Sequence, residues 1–114
     1  MNQEDCLFCK IVRKELNSNV VYEDDEVFAF EDINGRAPVH VLVVPRQHVA
    51  NLEEVGELPD RVTKRLFEVA SEVAERLGVT EDGYAVRINN GRDAGQEIFH
   101  LHLHVLGGKR LGMP

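Results

Sequence analysis

No stretch of this chain approaches the ~20 consecutive apolar residues that a membrane span needs. The longest candidate, Val39 to Val44, is interrupted by His40. The opening residues, Met1-Asn2-Gln3-Glu4-Asp5, lack the basic start and apolar stretch of a secretory signal. The chain is therefore expected in the cytoplasm, away from membranes. Basic charge is scarce too: 13 Lys and Arg stand against 20 Asp and Glu, a formal net charge of −7. Binding to a nucleic-acid polymer runs on phosphate neutralisation by Lys and Arg, so the balance argues against that partner. It leaves open a small phosphate ligand held by local donors. Linkers, internal repeats and low-complexity tracts are absent, which sets aside collagen-like, coiled-coil and disordered chains. What remains is one globular domain over residues 1–114, of a size that buries roughly two-thirds of its unfolded surface without staples.

Local patterns suggest an order of elements. Leu7 to Arg13 reads as a short helix. Val20 to Glu23 and Val27 to Phe30 read as two strands joined by a turn at Asp24-Asp25-Glu26. Those acids, like Glu53-Glu54, are expected on solvated turns. Val39 to Val44 is β-branched and ends at Pro45, as a buried strand would. Pro59 suits a first helical position, and Val62, Leu66, Val69, Ala70, Val73 and Leu77 recur at helical spacing. Gly78 follows where a left-handed cap belongs. Tyr84 to Ile88 is a further strand, and Asn89-Asn90-Gly91 opens a polar loop. Together they predict an α+β domain: an antiparallel sheet of about five strands, one long helix and one short.

The chemistry concentrates near the C-terminus. His100, His102 and His104 alternate with Leu101, Leu103 and Val105. Strand alternation puts the three imidazoles on one face and the apolar partners on the other. A packed core gains nothing from aligned imidazoles, whose nitrogens need partners when buried. The competing reading is a surface strand with inert histidines. Neutral imidazole is a nucleophile and titrates near ~6.5. Just upstream, Asn89-Asn90-Gly91-Arg92-Asp93-Ala94-Gly95-Gln96 offers glycines and side-chain amides of the kind that cradle phosphate. A phosphate held against a nucleophile is the natural combination of the two.

At this point the residues carry a resemblance. His100-Leu101-His102-Leu103-His104-Val105-Leu106 is similar to the histidine-triad signature. Asp32-Ile33-Asn34, Ala37-Pro38-Val39-His40, Val44-Pro45-Arg46-Gln47-His48 and Gly107-Gly108 resemble its Hint branch, the nucleotide-binding phosphoramidases, in the family's order. The likeness runs from about Cys6 to the C-terminus. It implies His102 as nucleophile, flanked by His100 and His104, with His40 orienting the set. It implies Asp32 as acceptor for the ribose hydroxyls, and Phe8, Ile11, Phe30, Ile33 and Leu42 as an apolar base pocket. Asn89, Gly95, Gln96 and Glu97 lie where the family holds the phosphate. Glu97 stands where serine is often found, and a carboxylate there must turn away from phosphate. Met113 occupies a place where some relatives have tryptophan.

Cys6-Leu7-Phe8-Cys9 is a Cys-x-x-Cys. A structural disulfide does not suit a cytoplasmic chain, and no βαβ setting supports a thioredoxin-like pair. Zinc needs four ligands, and the resemblance supplies two more, His48 and His100, as a closed Cys₂His₂ structural site. Two buried free cysteines are the alternative.

The combined expectation is a homodimeric hydrolase of nucleoside 5′-phosphoramidates, purine ones first, working through a nucleotidyl-His102 intermediate. The dimer follows from the resemblance and from the broad apolar stripe of the long helix, with Phe67 beside it. Two alternatives stay open. One is a dinucleoside-polyphosphate hydrolase, the other a nucleotide-binding regulatory protein with incidental turnover.

Overall fold

The computed structural model describes residues 5–112. Helix α1 spans Leu7–Val12 and helix α2 spans Asp60–Arg76. Five strands, β1 (Val20–Glu23), β2 (Val27–Glu31), β3 (Val39–Pro45), β4 (Tyr84–Arg87) and β5 (Leu103–Gly107), form one antiparallel sheet ordered β1-β2-β3-β5-β4. The α+β architecture and the strand count match the sequence reading. Two 3₁₀ segments, Leu52–Glu57 and Arg92–Ala94, were not foreseen. Neither buries a residue, so neither carries an apolar period for a sequence to display.

The sheet has two unequal faces. Val27, Ala29, Val41, Val43, Leu103 and Val105 point towards α2 and pack with Leu66, Val69 and Val73. The alternate residues Phe28, Phe30, Leu42 and Val44 point the other way, against α1. Six-residue α1 covers only the β2–β3 part of that second face. The rest of it, towards β5 and β4, is where the histidines lie, beside Leu106 and Arg87. Each fully buried Leu or Phe contributes about 1.5–3 kcal/mol, so the alternation fixes register strongly: a one-residue slip would exchange the two faces.

The element ends hold several corrections. Pro59 is the N-cap of α2, with extended ψ of 144°, and Asp60 takes the first helical position. The Pro59 carbonyl accepts from the amides of Val62 and Thr63. Gly78 is left-handed (φ 76°), as expected for a cap. At the first hairpin Asp25 is exposed, but Asp24 is half-buried. Its carboxylate accepts from the Glu26 and Val27 amides, both at 2.8 Å, and from the Tyr22 hydroxyl. At the end of β5 a side chain on Gly107 would meet Val79 at 2.9 Å. Gly108 has φ of 90° and would meet Pro38 at the same distance. The glycine pair thus lets the chain turn sharply out of the sheet. Met113 lies outside the described residues.

Candidate active site and metal centre

Strand β5 begins at Leu103, not at His100 as the alternation suggested. Residues 101 and 102 precede the ladder, where Leu101 N–H donates to the Val49 carbonyl. The side-chain alternation survives nonetheless. Leu101, Leu103 and Val105 enter the α2-side core. The rings of His102 and His104 lie 4.8 Å apart, and Phe8 of α1 sets its edge to both His100 and His102, at 6.0 and 5.0 Å.

Hydrogen-bond donors that can only donate, and acceptors that can only accept, fix the proton on each ring. The Arg36 backbone N–H donates to His40 Nδ1 at 3.0 Å, so His40 carries its proton on Nε2. His40 Nε2 is 2.9 Å from His104 Nδ1, which must accept. His104 therefore keeps N–H at Nε2. His102 donates from Nδ1 to the His100 carbonyl at 2.7 Å, which leaves a lone pair on Nε2. Asp32 Oδ2 lies 3.5 Å from His40 Nε2, and its Oδ1 accepts from the Asn34 amide at 2.9 Å. Asp32 is both the turn residue and a carboxylate beside the His40–His104 pair.

Burial keeps these rings neutral. It lowers the pKa of His104 to about 4, helped by His102, His40 and Arg87 and opposed by Asp32. His40 is lowered chiefly by burial, with Arg36 and Arg87 adding to it and Asp32 opposing. His102 is lowered by the same cause, against its bond to the His100 carbonyl.

Phe8, Ile11, Phe30 and Leu42 form one apolar cluster under α1, with Phe8 and Phe30 edge-to-face at 5.4 Å. Ile33 does not join them: it is 88% exposed in the turn after β2. The loop before the histidines differs from expectation in its use of donors. Gly95 N–H bonds to Arg92 O and Gln96 N–H to Gly91 O, closing the 3₁₀ turn with Gly95 left-handed. The Gln96 side chain is buried. Its Oε1 accepts from Gly91 N–H, and its Nε2 donates to the carbonyls of Ala50 and Ile98. These groups brace the loop, with the Gly95 and Gln96 donors engaged inside it. Asn89 is half-buried and makes no side-chain hydrogen bond among the described residues. The same holds for the backbone N–H groups of Glu97 and Ile98. The Glu97 side chain is exposed. The bracing role of Gln96 and the Arg36 amide escaped the sequence, because both depend on which backbone groups the fold brings to them.

Cys6, Cys9, His48 and His100 offer four ligand atoms within 4.8 Å of one another. Cys9 Sγ is 3.3 Å from His48 Nδ1 and 3.5 Å from His100 Nδ1, and Cys6 Sγ is 3.4 Å from His100 Nδ1. A tetrahedral zinc with Zn–S of about 2.3 Å and Zn–N of about 2.0 Å separates S from N by about 3.5 Å, so the donor set fits. The tautomer fits as well. His100 Nε2–H donates to the Pro45 carbonyl at 2.7 Å, which turns the Nδ1 lone pair towards the sulfurs. Without a cation, burial and the Cys6 neighbour raise the Cys9 thiol to about 12; a coordinated cation reverses that and holds thiolate.

Comparison with known proteins agrees with this geometry. The HIT domain model matches residues 13–111. The purine nucleoside phosphoramidase of Escherichia coli K12 is 41% identical over 109 residues, covering 96% of this chain and 92% of that protein. A HIT family hydrolase from Clostridium thermocellum superposes with a TM-score of 0.92 at 47% identity, covering 97% and 96% of the two chains. A histidine triad protein from Clostridium difficile gives 0.90 at 42% identity, covering 100% and 99%. With the model matched over most of its length and relatives of this identity across nearly all of it, the chain belongs to the HIT-domain family.

Proposed function

We propose that this protein is a hydrolase of nucleoside 5′-phosphoramidates, with purine nucleosides preferred, acting through a covalent nucleotidyl-His102 intermediate. The observation that carries the reading is the pair of outward nitrogens, a lone pair on His102 Nε2 beside an N–H on His104 Nε2. The family membership and the named E. coli phosphoramidase support the substrate class.

In the first step His102 Nε2 forms a bond to the α-phosphorus and the P–N bond breaks. A proton from solvent, passed at His104 Nε2, completes the neutral amine. The phosphorylated His102 ring is cationic, and its Nδ1–H stays bonded to the His100 carbonyl, which stabilises that charge. Water then attacks phosphorus, releases His102 and yields the nucleoside monophosphate. The backbone amides of Glu97 and Ile98 and the Asn89 side chain, which make no hydrogen bond among the described residues, are the donors this reading assigns to the developing phosphoryl charge. The base rests on Phe8, Ile11, Phe30 and Leu42, with Ile33 folding over it on binding, and Asp32 Oδ2 receives the ribose.

Zinc at Cys6, Cys9, His48 and His100 would be structural, tying α1 to the segment before β5. A closed four-ligand sphere leaves no position for substrate. We assign the protein to the cytoplasm as a homodimer. The sheet of one chain covers most of the α2 stripe, so the helix does not force association. What supports pairing is the open β4 edge with Val86 exposed, and Phe67, 54% exposed.

The test is turnover of adenosine 5′-phosphoramidates by wild type and His102→Ala. The variant should fold and lose at least ~10³-fold in kcat, and acid-quenched wild type should hold phosphorus on His102. A His102→Ala enzyme with wild-type kcat refutes the mechanism.

A further inference from the structure

On a chain with a net charge of −7, four cations meet in one place. Arg36, Arg87, Lys109 and Arg110 line a groove of about 300 Å³ floored by Leu106 and Leu111. No acidic residue lines it. Within one chain, none of the four makes an ion pair among the described residues, whereas Arg13, Arg46, Arg61, Arg65 and Arg92 all do; Arg87 belongs to the β4 strand whose edge the proposed dimer would pair, with its side chain on the histidine face of the sheet. Uncompensated cations held together on an acidic protein repel one another, which an anion relieves.

The sheet register locates the groove. Directly paired residues of antiparallel strands share a face. Arg87 of β4 pairs with His104 of β5, and Leu106 of β5 pairs with His40 of β3. The groove therefore adjoins the His40–His104 pair on the histidine face. Arg36 and Arg87 stand close enough to depress proton binding at His40, and Arg87 at His104. The apolar nucleoside cluster lies over β2 and β3, on the opposite side of His102 and His104. A substrate with its nucleoside there and its phosphorus at His102 directs its remaining part towards β4. The Gly107-Gly108 turn brings Lys109 and Arg110 to this same end.

We propose that this groove binds an anion carried by the leaving group, so that the preferred substrate is a nucleotide joined to a negatively charged partner. The inference rests on the hydrolase reading and names its substrate class. Two sources share the chemistry: an amine bearing carboxylates, and a leaving group bearing phosphate.

The experiment compares kcat/KM for adenosine 5′-phosphoramidates of glutamate and of its uncharged diamide, with diadenosine tetraphosphate as the phosphate-bearing arm. Wild type should prefer the glutamate compound over the diamide at least ~10-fold at low salt, with the ratio shrinking as ionic strength rises. In the Arg87→Gln/Arg110→Gln double variant the ratio should fall to about 1, at an unchanged thermal transition. Preference for glutamate assigns the carboxylate source, and a variant-sensitive turnover of diadenosine tetraphosphate assigns the phosphate source. Equal rates for the charged and uncharged amides, with diadenosine tetraphosphate unaffected by the variant, overturn the groove and leave the hydrolase standing. Turnover of none of the three overturns the hydrolase reading instead. In that case calorimetric titration with pyrophosphate still reads the groove: affinity lost in the double variant supports it, and affinity unchanged refutes it.

Discussion

Replacing Gln96 separates two roles that the sequence leaves mixed, phosphate donor and internal brace. The side chain is 5% exposed and makes three hydrogen bonds: to Gly91 N–H at 2.8 Å, Ala50 O at 2.8 Å and Ile98 O at 3.1 Å. Each is worth about 1 kcal/mol net, and the half-buried Gly91 end can take up water. Gln96→Ala should therefore lower stability by about 2–3 kcal/mol, or roughly 8–15 °C in Tm for a domain of this size. Gln96→Glu is the sharper probe. It keeps the acceptor for Gly91 but sets a second carboxylate oxygen against two carbonyls. At neutral pH it should be at least as destabilising as alanine. The gap to wild type should narrow as pH falls, because the protonated carboxyl regains a donor. Calorimetry and urea unfolding at pH 5 and pH 8 read both effects. If both variants melt within 2 °C of wild type (about 0.5 kcal/mol) and lose affinity for adenosine monophosphate, Gln96 is a ligand donor and the brace is refuted.

Three further outcomes are expected. Cys9→Ser should lower metal content and Tm first, and activity only secondarily; elemental analysis of protein purified without chelator, showing no zinc in wild type, would remove the metal site. Asp32→Asn should weaken adenosine monophosphate more than its 2′-deoxy analogue, since a carboxylate accepts from both hydroxyls; equal loss for the two sugars would reduce Asp32 to the turn it makes with Asn34. Stability should fall with acid in two windows. His104 binds its proton near 4 when folded and near 6.5 when unfolded, so its contribution is full above about 6.5 and is lost as pH falls to about 4, by ~2–3 kcal/mol. For Asp24, burial is outweighed by the Tyr22 hydroxyl, two backbone amides and Arg65, which hold it at about 2, so its share goes between about 4 and 2. Urea midpoints flat from pH 7 to 4 would contradict the first window.

Much of this was legible in the sequence because it is periodic. Alternation in β2, β3 and around the histidines, and the 3.6-residue spacing of α2, each report which side is buried. Boundaries moved where a backbone bond, not a side chain, decides. Pro59 caps rather than begins α2, and β5 starts only when pairing with Val43 begins. Ile33 shows the limit of carrying a pocket over by resemblance, since in the turn after β2 it stays exposed and outside the apolar cluster. The basic groove was invisible for another reason. Arg36, Arg87 and Arg110 are far apart in sequence, and a net charge of −7 conceals their convergence.

Three identical side chains at a spacing of two would be redundant if their surroundings were identical, and they are not. His100 gives its Nε2–H to Pro45 and turns a lone pair to two thiols. His102 gives its Nδ1–H to the His100 carbonyl and keeps a lone pair on Nε2. His104 receives at Nδ1 and keeps an N–H on Nε2. The backbone makes each of these choices, through two carbonyls and the Arg36 amide, none of which can exchange roles. The alternation only brings the rings to one face. The fixed donors and acceptors around them give one residue type three different outward faces, which the proposed mechanism uses as a ligand, a nucleophile and a proton donor. It follows that the backbone bonds of the Arg36 turn and the His100 bend matter as much to the chemistry as the imidazoles themselves.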